Sequence, residues 1–324
     1  MATQYTGGSH NAIDHGPKTA SDLATPRSRN PPYFPTRLER LVTAIFPILL
    51  VFGTLFSAIS PQTRGAIYDP SQQAHAQDAA LVPSYFARKS NLFNVVFVKR
   101  GWAWTTLALL VFTVSHPSVA SRSRVGLRWA AMTVCWILVT QWCFGAPVID
   151  RSFRWTGGRC DMAEREISRD GSADAGMADV LTAMACRTAG GHWKGGHDIS
   201  GHVFLLVLGT AMLLQEVGWP LLRWTGITEE RTIVMSDGAV KGAGVEADTA
   251  PGRGRGKFKL GVGGKTALAV GSLNVWMLLM TAIYFHTWVE KLTGLLTALV
   301  AVYAVYIVPR FMPVIRAVLA LPGI

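Results

Sequence analysis

Apolar residues in this chain fall into long blocks rather than alternating with polar ones. A helix needs about 20 mainly apolar residues to cross a hydrocarbon core. Six stretches approach that: Leu41–Ser60, broken only by Pro47, then Trp102 to about Val119, Trp129–Ala146, Ile199–Val217, Ala267–His286 and Leu292–Val308. The pattern predicts an all-α, polytopic integral membrane protein with about six transmembrane helices. The apolar stretch Leu92–Val98, just ahead of Lys99-Arg100, either lengthens the second crossing or forms a re-entrant or interfacial helix.

The polar positions give the organisation. Residues 1–37 are polar and irregular, with Asn30-Pro31-Pro32 near their end, and read as a disordered tail. The first apolar run starts too late and is too long for a signal peptide. The membrane domain then spans 38–324, with a long loop over 147–198 and a basic, Gly-rich linker over 219–265, flexible from Ser236 to Lys265. There is no internal repeat.

Composition sharpens this reading. Only 16% of the residues are charged, yet the formal net charge is +11. A soluble domain carries about 25% charge, so an ordinary soluble enzyme and an acidic disordered chain are both disfavoured. The cations are diluted by apolar surface, which argues against a nucleic-acid partner. Eleven Trp suit helix ends at headgroup depth. With six crossings both termini share a face, and 18 of the 31 Lys and Arg fall on that face against 13 on the other. The excess places the termini in the cytosol. Cys135 and Cys143 lie in the third apolar run and read as packing residues. Cys160 and Cys186 share the long loop, where an oxidising lumen would permit a disulfide and free thiols are the alternative.

The unusual polar residues cluster twice. Gly190 to His202 reads Gly-Gly-His-Trp-Lys-Gly-Gly-His-Asp-Ile-Ser-Gly-His and opens the fourth helix. Tyr284 to Lys291 reads Tyr-Phe-His-Thr-Trp-Val-Glu-Lys and joins the fifth to the sixth. The fourth helix leaves one face and the fifth returns to it, so His202 and His286 share a face, with Lys99 and Arg100. Phosphoryl transfer without metal needs a nucleophile, an acid for the leaving oxygen and donors around phosphate. Histidine serves either of the first two roles. Cations and the amides of a helix start serve the third, with Asp198 or Ser200 as its cap. Glu290 follows His286 by four residues and would orient its ring if a helical turn continues there. His192, His197 and His202 are spaced by five, which does not align on a helix, so no metal site is assigned. Gly264-Lys265-Thr266 lacks the earlier glycine of a phosphate loop, since Lys259 stands in its place.

At these residues the chain resembles the fat storage-inducing transmembrane (FIT) proteins, in particular their fungal members. The resemblance is carried by Phe93 to Thr105 (Phe-Asn-Val-Val-Phe-Val-Lys-Arg-Gly-Trp-Ala-Trp-Thr), Gly196 to Leu206 (Gly-His-Asp-Ile-Ser-Gly-His-Val-Phe-Leu-Leu) and Tyr284 to Gly294. It implies an endoplasmic reticulum membrane protein with cytosolic termini, a lumenal site and a helical core like that of the lipid phosphate phosphatases. It also implies hydrolysis of long-chain fatty acyl-CoA to acyl 4′-phosphopantetheine and adenosine 3′,5′-bisphosphate, in support of lipid-droplet formation and phospholipid balance, without a cofactor. Carried over, His286 is the nucleophile and His202 the general acid. Ser200 and Gly201 help to hold phosphate, and Glu290 orients His286. The phosphatases place an Arg shortly before the nucleophile, where this chain has Ile283, Tyr284 and Phe285. Lys99, Arg100, Lys194 and Lys291 are the candidates to replace it. Three rival readings stand beside this one: a non-enzymatic binder of neutral lipid, a phosphatase acting on phosphatidic acid, and a metal hydrolase that a chelator should inactivate.

Overall fold

The computed structural model describes residues 30–69, 74–78, 80–141, 148–160, 186, 193–194, 198–248 and 260–324. Five helices in it are long and apolar enough to cross a membrane: α1 (Arg37–Ile59), α2 (Phe93–Ser115), α5 (Gly201–Trp224), α6 (Gly261–Tyr284) and α7 (Trp288–Phe311). Between α2 and α5 run α3 (Arg122–Thr140) and the short α4 (Val148–Trp155), and α8 (Pro313–Leu319) follows α7. The chain is a polytopic, helical membrane protein.

Burial ranks the helices. In α5, 67% of the apolar window is enclosed by the rest of the protein, against 17% in α1. The central helix is therefore α5, packed on α2, α6 and α7, while α1 lies outside against α6 and turns Ile48, Val51, Phe52 and Leu55 outward. Such a face suits lipid, which solvates it as well as a protein core would. The approach of α6 to α2 depends on Gly263, where a Cβ would lie 2.6 Å from Phe112 Cα. The Gly-Gly-Lys-Thr segment thus serves helix packing.

The third expected crossing differs most from its sequence reading. Its helix, α3, starts at Arg122, seven residues early, and ends at Thr140. It runs antiparallel to α2: Trp102 Nε1 donates to Thr133 Oγ1 and Trp129 Nε1 to Thr106 Oγ1, and the Trp102 and Trp136 rings stack 5.8 Å apart. Nineteen residues make about 28 Å of helix, enough to follow the bundle from end to end. Arg122, Arg124 and Arg128 in its first two turns keep it out of the apolar set. They are satisfied by protein: Arg128 pairs with Glu216 and donates to Leu319 O, Arg124 donates to Ala317 O and Val318 O, and Arg122 donates to Val114 O. The expected end of this run, including Cys143, lies outside the described residues.

Local chemistry explains the other boundary shifts. Thr36 and Glu39 form a capping box that starts α1 ahead of Leu41. Thr287 and Glu290 do the same for α7, ahead of Leu292. Leu92–Val98 lengthens α2 rather than forming a separate segment. α5 continues past Pro220 to Trp224. The tail expected over 1–37 lies outside the described residues as far as residue 29. From Asn30 the chain is docked: Tyr303 Oη donates to Tyr33 O and Thr232 Oγ1 to Asn30 O. The linker expected over 219–265 contains a hairpin, β5 (Thr232–Val234) with β6 (Val240–Gly242). It turns at Asp237-Gly238, where Asp237 Oδ1 accepts from Ala239 N and Gly238 has φ +81°. Arg231 beside it is buried, paired with Glu229 and stacked 4.2 Å over Trp219.

Candidate functional site

The site is built where α5 begins and α6 passes into α7. Ser200 caps α5, its Oγ accepting from Val203 N at 3.3 Å, and its own N–H donates to Glu290 O at 3.1 Å. That second bond ties the start of α5 to the first turn of α7. Gly294 permits it, since a Cβ there would lie 2.7 Å from Ser200 O. Gly201 and His202 follow as the first two residues of α5.

The α6 helix ends at Tyr284, two residues short of the sequence expectation, so His286 lies in the connection rather than in a helix. Its φ is +61°, a left-handed backbone that non-glycine residues seldom adopt and that marks functional connections. Thr287 then caps α7. Glu290 Oε2 accepts from Thr287 N at 2.9 Å and lies 3.2 Å from His286 Nδ1. One carboxylate thus closes the capping box and holds the imidazole. The contact expected from a continuing helical turn is present, although no turn continues: the carboxylate reaches back from α7.

The two imidazoles converge. Ring centroids of His202 and His286 are 5.9 Å apart at 50°, and Phe285 stacks 6.4 Å from His202. The His286 side chain is 10% exposed and that of Glu290 8%. His202 Nε2 lies 3.1 Å from Asn94 Oδ1, which brings the start of α2 to the same end. A further element closes the group. Strand β1 (Tyr68–Asp69) pairs with β2 (Ala74–His75), and Ala74 bridges to Phe285. Burial pushes the His75 imidazole below its ordinary pKa.

The expected cations separate. Lys99 is exposed and Lys89 half-buried, and the charge of each acts on the His202 ring. Arg100 is exposed on the turn before Gly101. Lys194 belongs to strand β4 (Trp193–Lys194), paired with β3 (Arg159–Cys160) in the register Arg159 with Lys194. Lys291 points elsewhere: it is buried and donates to Ala282 O at 2.6 Å and to Thr54 Oγ1 at 3.3 Å. It fastens α7 to α6 and α1. Ser200 has no exposed surface, and its side chain shapes the turn that starts α5. His192 and His197 lie outside the described residues. Cys160 and Cys186 are joined in a disulfide. The α4 helix that precedes Cys160 lays Ile149 against Gly201, so the bridged loop leaves from the histidine end.

Two members of this group, Asn94 and Lys89, were not singled out by the sequence patterns. A signal for Asn94 was present, because a polar side chain inside the apolar run Leu92–Val98 is costly unless it has a partner.

The family model for fat storage-inducing transmembrane (FIT) proteins matches residues 82–306. The acyl-coenzyme A diphosphatase fit1 of Schizosaccharomyces pombe is 30% identical over 289 residues, covering 87% of this chain and 90% of that protein. The acyl-coenzyme A diphosphatases FITM2 of Sus scrofa and Homo sapiens are 26% and 27% identical over 229 residues, each covering 70% of this chain and 73% of the relative. No solved structure matches the chain. The matched segment runs through Asn94, His202, His286 and Glu290, and this chain belongs to the fat storage-inducing transmembrane protein family.

Proposed function

We propose that this protein is an acyl-coenzyme A diphosphatase of the endoplasmic reticulum membrane, and that His286 and His202 carry the reaction. The observation that bears most weight is the 5.9 Å approach of two imidazoles from different elements, each with a polar partner. The relatives, acyl-coenzyme A diphosphatases, point to the substrate.

In this reading the acyl tail of a long-chain acyl-CoA lies in the bilayer, where each methylene buried contributes roughly 0.8 kcal/mol. The diphosphate meets the histidine end. Glu290 accepts the hydrogen of His286 Nδ1, which leaves the Nε2 lone pair as nucleophile. Nε2 attacks one phosphorus, and the bridging P–O bond breaks. His202 protonates the departing oxygen. The phosphohistidine is then released by water, whose proton His202 takes back. The products are acyl 4′-phosphopantetheine and adenosine 3′,5′-bisphosphate. Val203 and Phe204 amides are used by Ser200, so the N–H groups of Gly201 and His202 face the phosphate at the positive end of α5. Lys99 and Lys89 supply the charge that an arginine gives in the lipid phosphate phosphatases. Turnover of acyl-CoA at this membrane would support lipid-droplet formation and phospholipid balance.

The termini lie in the cytosol and the histidine end faces the lumen. The Cys160–Cys186 disulfide supports that orientation, because disulfides persist in oxidising compartments. A maleimide probe on sealed microsomes checks it: these cysteines should label only after reduction and permeabilisation. For the activity itself, purified protein given a long-chain acyl-CoA should release adenosine 3′,5′-bisphosphate. Release of inorganic phosphate from phosphatidic acid in its place would assign a lipid phosphate phosphatase.

A further inference from the structure

The two ring nitrogens of His202 have different surroundings, and Asn94 assigns them. Asn94 is 5% exposed, and its Nδ2 donates to Lys89 O at 2.8 Å. A carbonyl oxygen only accepts, so that bond sets which way the Asn94 amide points. Its Oδ1 therefore faces His202 Nε2 at 3.1 Å. Oδ1 also only accepts, so Nε2 carries a hydrogen. The same holds for the neutral ring and for the imidazolium.

The tether is itself held firmly. Asn94 N donates to Asn91 Oδ1 at 2.8 Å, and Asn91 Nδ2 donates to Arg88 O at 2.6 Å. Lys89 N donates to Gln77 Oε1 at 2.7 Å, while Gln77 Nε2 donates to His75 O at 2.7 Å. His75 neighbours Ala74, which bridges to Phe285 beside His286. The backbone at Asn94 is widened to a π-turn, in which Val98 N is shared between Asn94 O and Phe93 O. Such a turn re-aims a side chain within a helix and recurs at functional positions.

We infer that Asn94 is a positioning residue that holds His202 with its hydrogen on Nε2, so that Nδ1 is the atom that exchanges protons in the reaction. The inference rests on His202 acting as general acid. In the cleavage step, Nδ1–H passes to the bridging oxygen as its bond to phosphorus breaks and the electron pair stays on that oxygen. In the release step, neutral Nδ1 takes a proton from water as the water oxygen bonds to phosphorus and the bond from phosphorus to His286 breaks. The imidazolium is restored, and Nε2–H stays on Asn94 throughout. An untethered ring would exchange tautomers, and only one of them has its base at Nδ1.

The test is nitrogen-15 NMR of histidine-labelled protein in micelles, with His202 assigned by its loss in His202→Gln. The neutral wild-type ring should show a protonated-type signal at Nε2 and an unprotonated-type signal at Nδ1. Asn94→Leu should mix the tautomers and lower kcat by roughly 10- to 100-fold, with KM little changed. Asn94→Asp keeps an acceptor and adds charge, so it should retain the tautomer and move the limb of the pH–rate profile set by His202 toward higher pH. A hydrogen on Nδ1 in the wild type overturns the inference. So does an Asn94→Leu protein with unchanged tautomer and pH profile, whatever its yield of folded protein. Full cleavage by His202→Ala would instead remove the general acid on which the inference stands, a result the tautomer signals alone do not give.

Discussion

Glu290 Oε2 lies 3.2 Å from His286 Nδ1 and 2.9 Å from Thr287 N, so one carboxylate both starts α7 and orients the candidate nucleophile. The two duties are separable. Thr287→Ala removes the other half of the capping box and should lower stability by about 1 kcal/mol while leaving most activity. Glu290→Gln keeps an oxygen for Thr287 N but can turn an N–H toward Nδ1, which favours the wrong tautomer. It should lower kcat by at least about 10-fold with little change in Tm. Rates and thermal melts of the two variants side by side check this, and equal kcat losses would contradict it.

Gly294 sets the distance between α7 and the start of α5. A Cβ there would lie 2.7 Å from Ser200 O and 3.2 Å from Val203 Cβ. Gly294→Ala should destabilise by about 1–3 kcal/mol and reduce turnover, because it separates the helix that carries Glu290 from the one that carries His202. An unchanged Tm and an unchanged rate would show that this close approach is not required.

The opposite end of the bundle is held by buried ion pairs. Arg310 pairs with Glu39, and Arg128 with Glu216, whose Oε1 also accepts from Tyr306 Oη at 3.0 Å. Removing one partner strands a buried charge and should cost about 3–5 kcal/mol. Glu39→Leu alone should therefore lower Tm more than Glu39→Leu with Arg310→Met. Glu216 is about 21 Å along α5 from His202, so the folded fraction of any of these variants should cleave acyl-CoA at the wild-type rate. Active-site titration of the surviving protein measures that rate.

His75 gives a pH dependence. It is 6% exposed, and burial disfavours its charged form. Its folded pKa is therefore below the unfolded value near 6.5, and the unfolded chain binds more protons just below that pH. Stability should fall as pH drops from about 6.5 and level off below the folded value. Thermal melts between pH 7 and 5 should show a decline that His75→Gln reduces. An equal decline in both proteins would assign the acid sensitivity elsewhere.

The membrane class, the sharing of one face by His202 and His286 and the link from Glu290 to His286 were all legible in the sequence. Each depends on apolar run length, helix parity or a short spacing. What was not legible depends on contacts distant in the chain. The start of α3 at Arg122 is tolerable only because Glu216 and the carbonyls near Leu319 receive its arginines. Lys291 looked like a phosphate ligand until Ala282 O and Thr54 took its ammonium. The hairpin at Thr232–Gly242 hid in a Gly-rich stretch, because three-residue strands carry little periodic signal. Asn94 met His202 across 108 positions of sequence.

In the proposed reaction His202 and His286 work as one pair on the acyl-CoA diphosphate. The most direct test of that pairing is the rate of adenosine 3′,5′-bisphosphate formation from a long-chain acyl-CoA by purified wild type, His202→Ala, His286→Ala and the double variant, matched for folding. Each single variant should lose at least about 1,000-fold and the double no more than that, since residues acting as a unit are not additive. Full cleavage by both single variants would contradict the pairing.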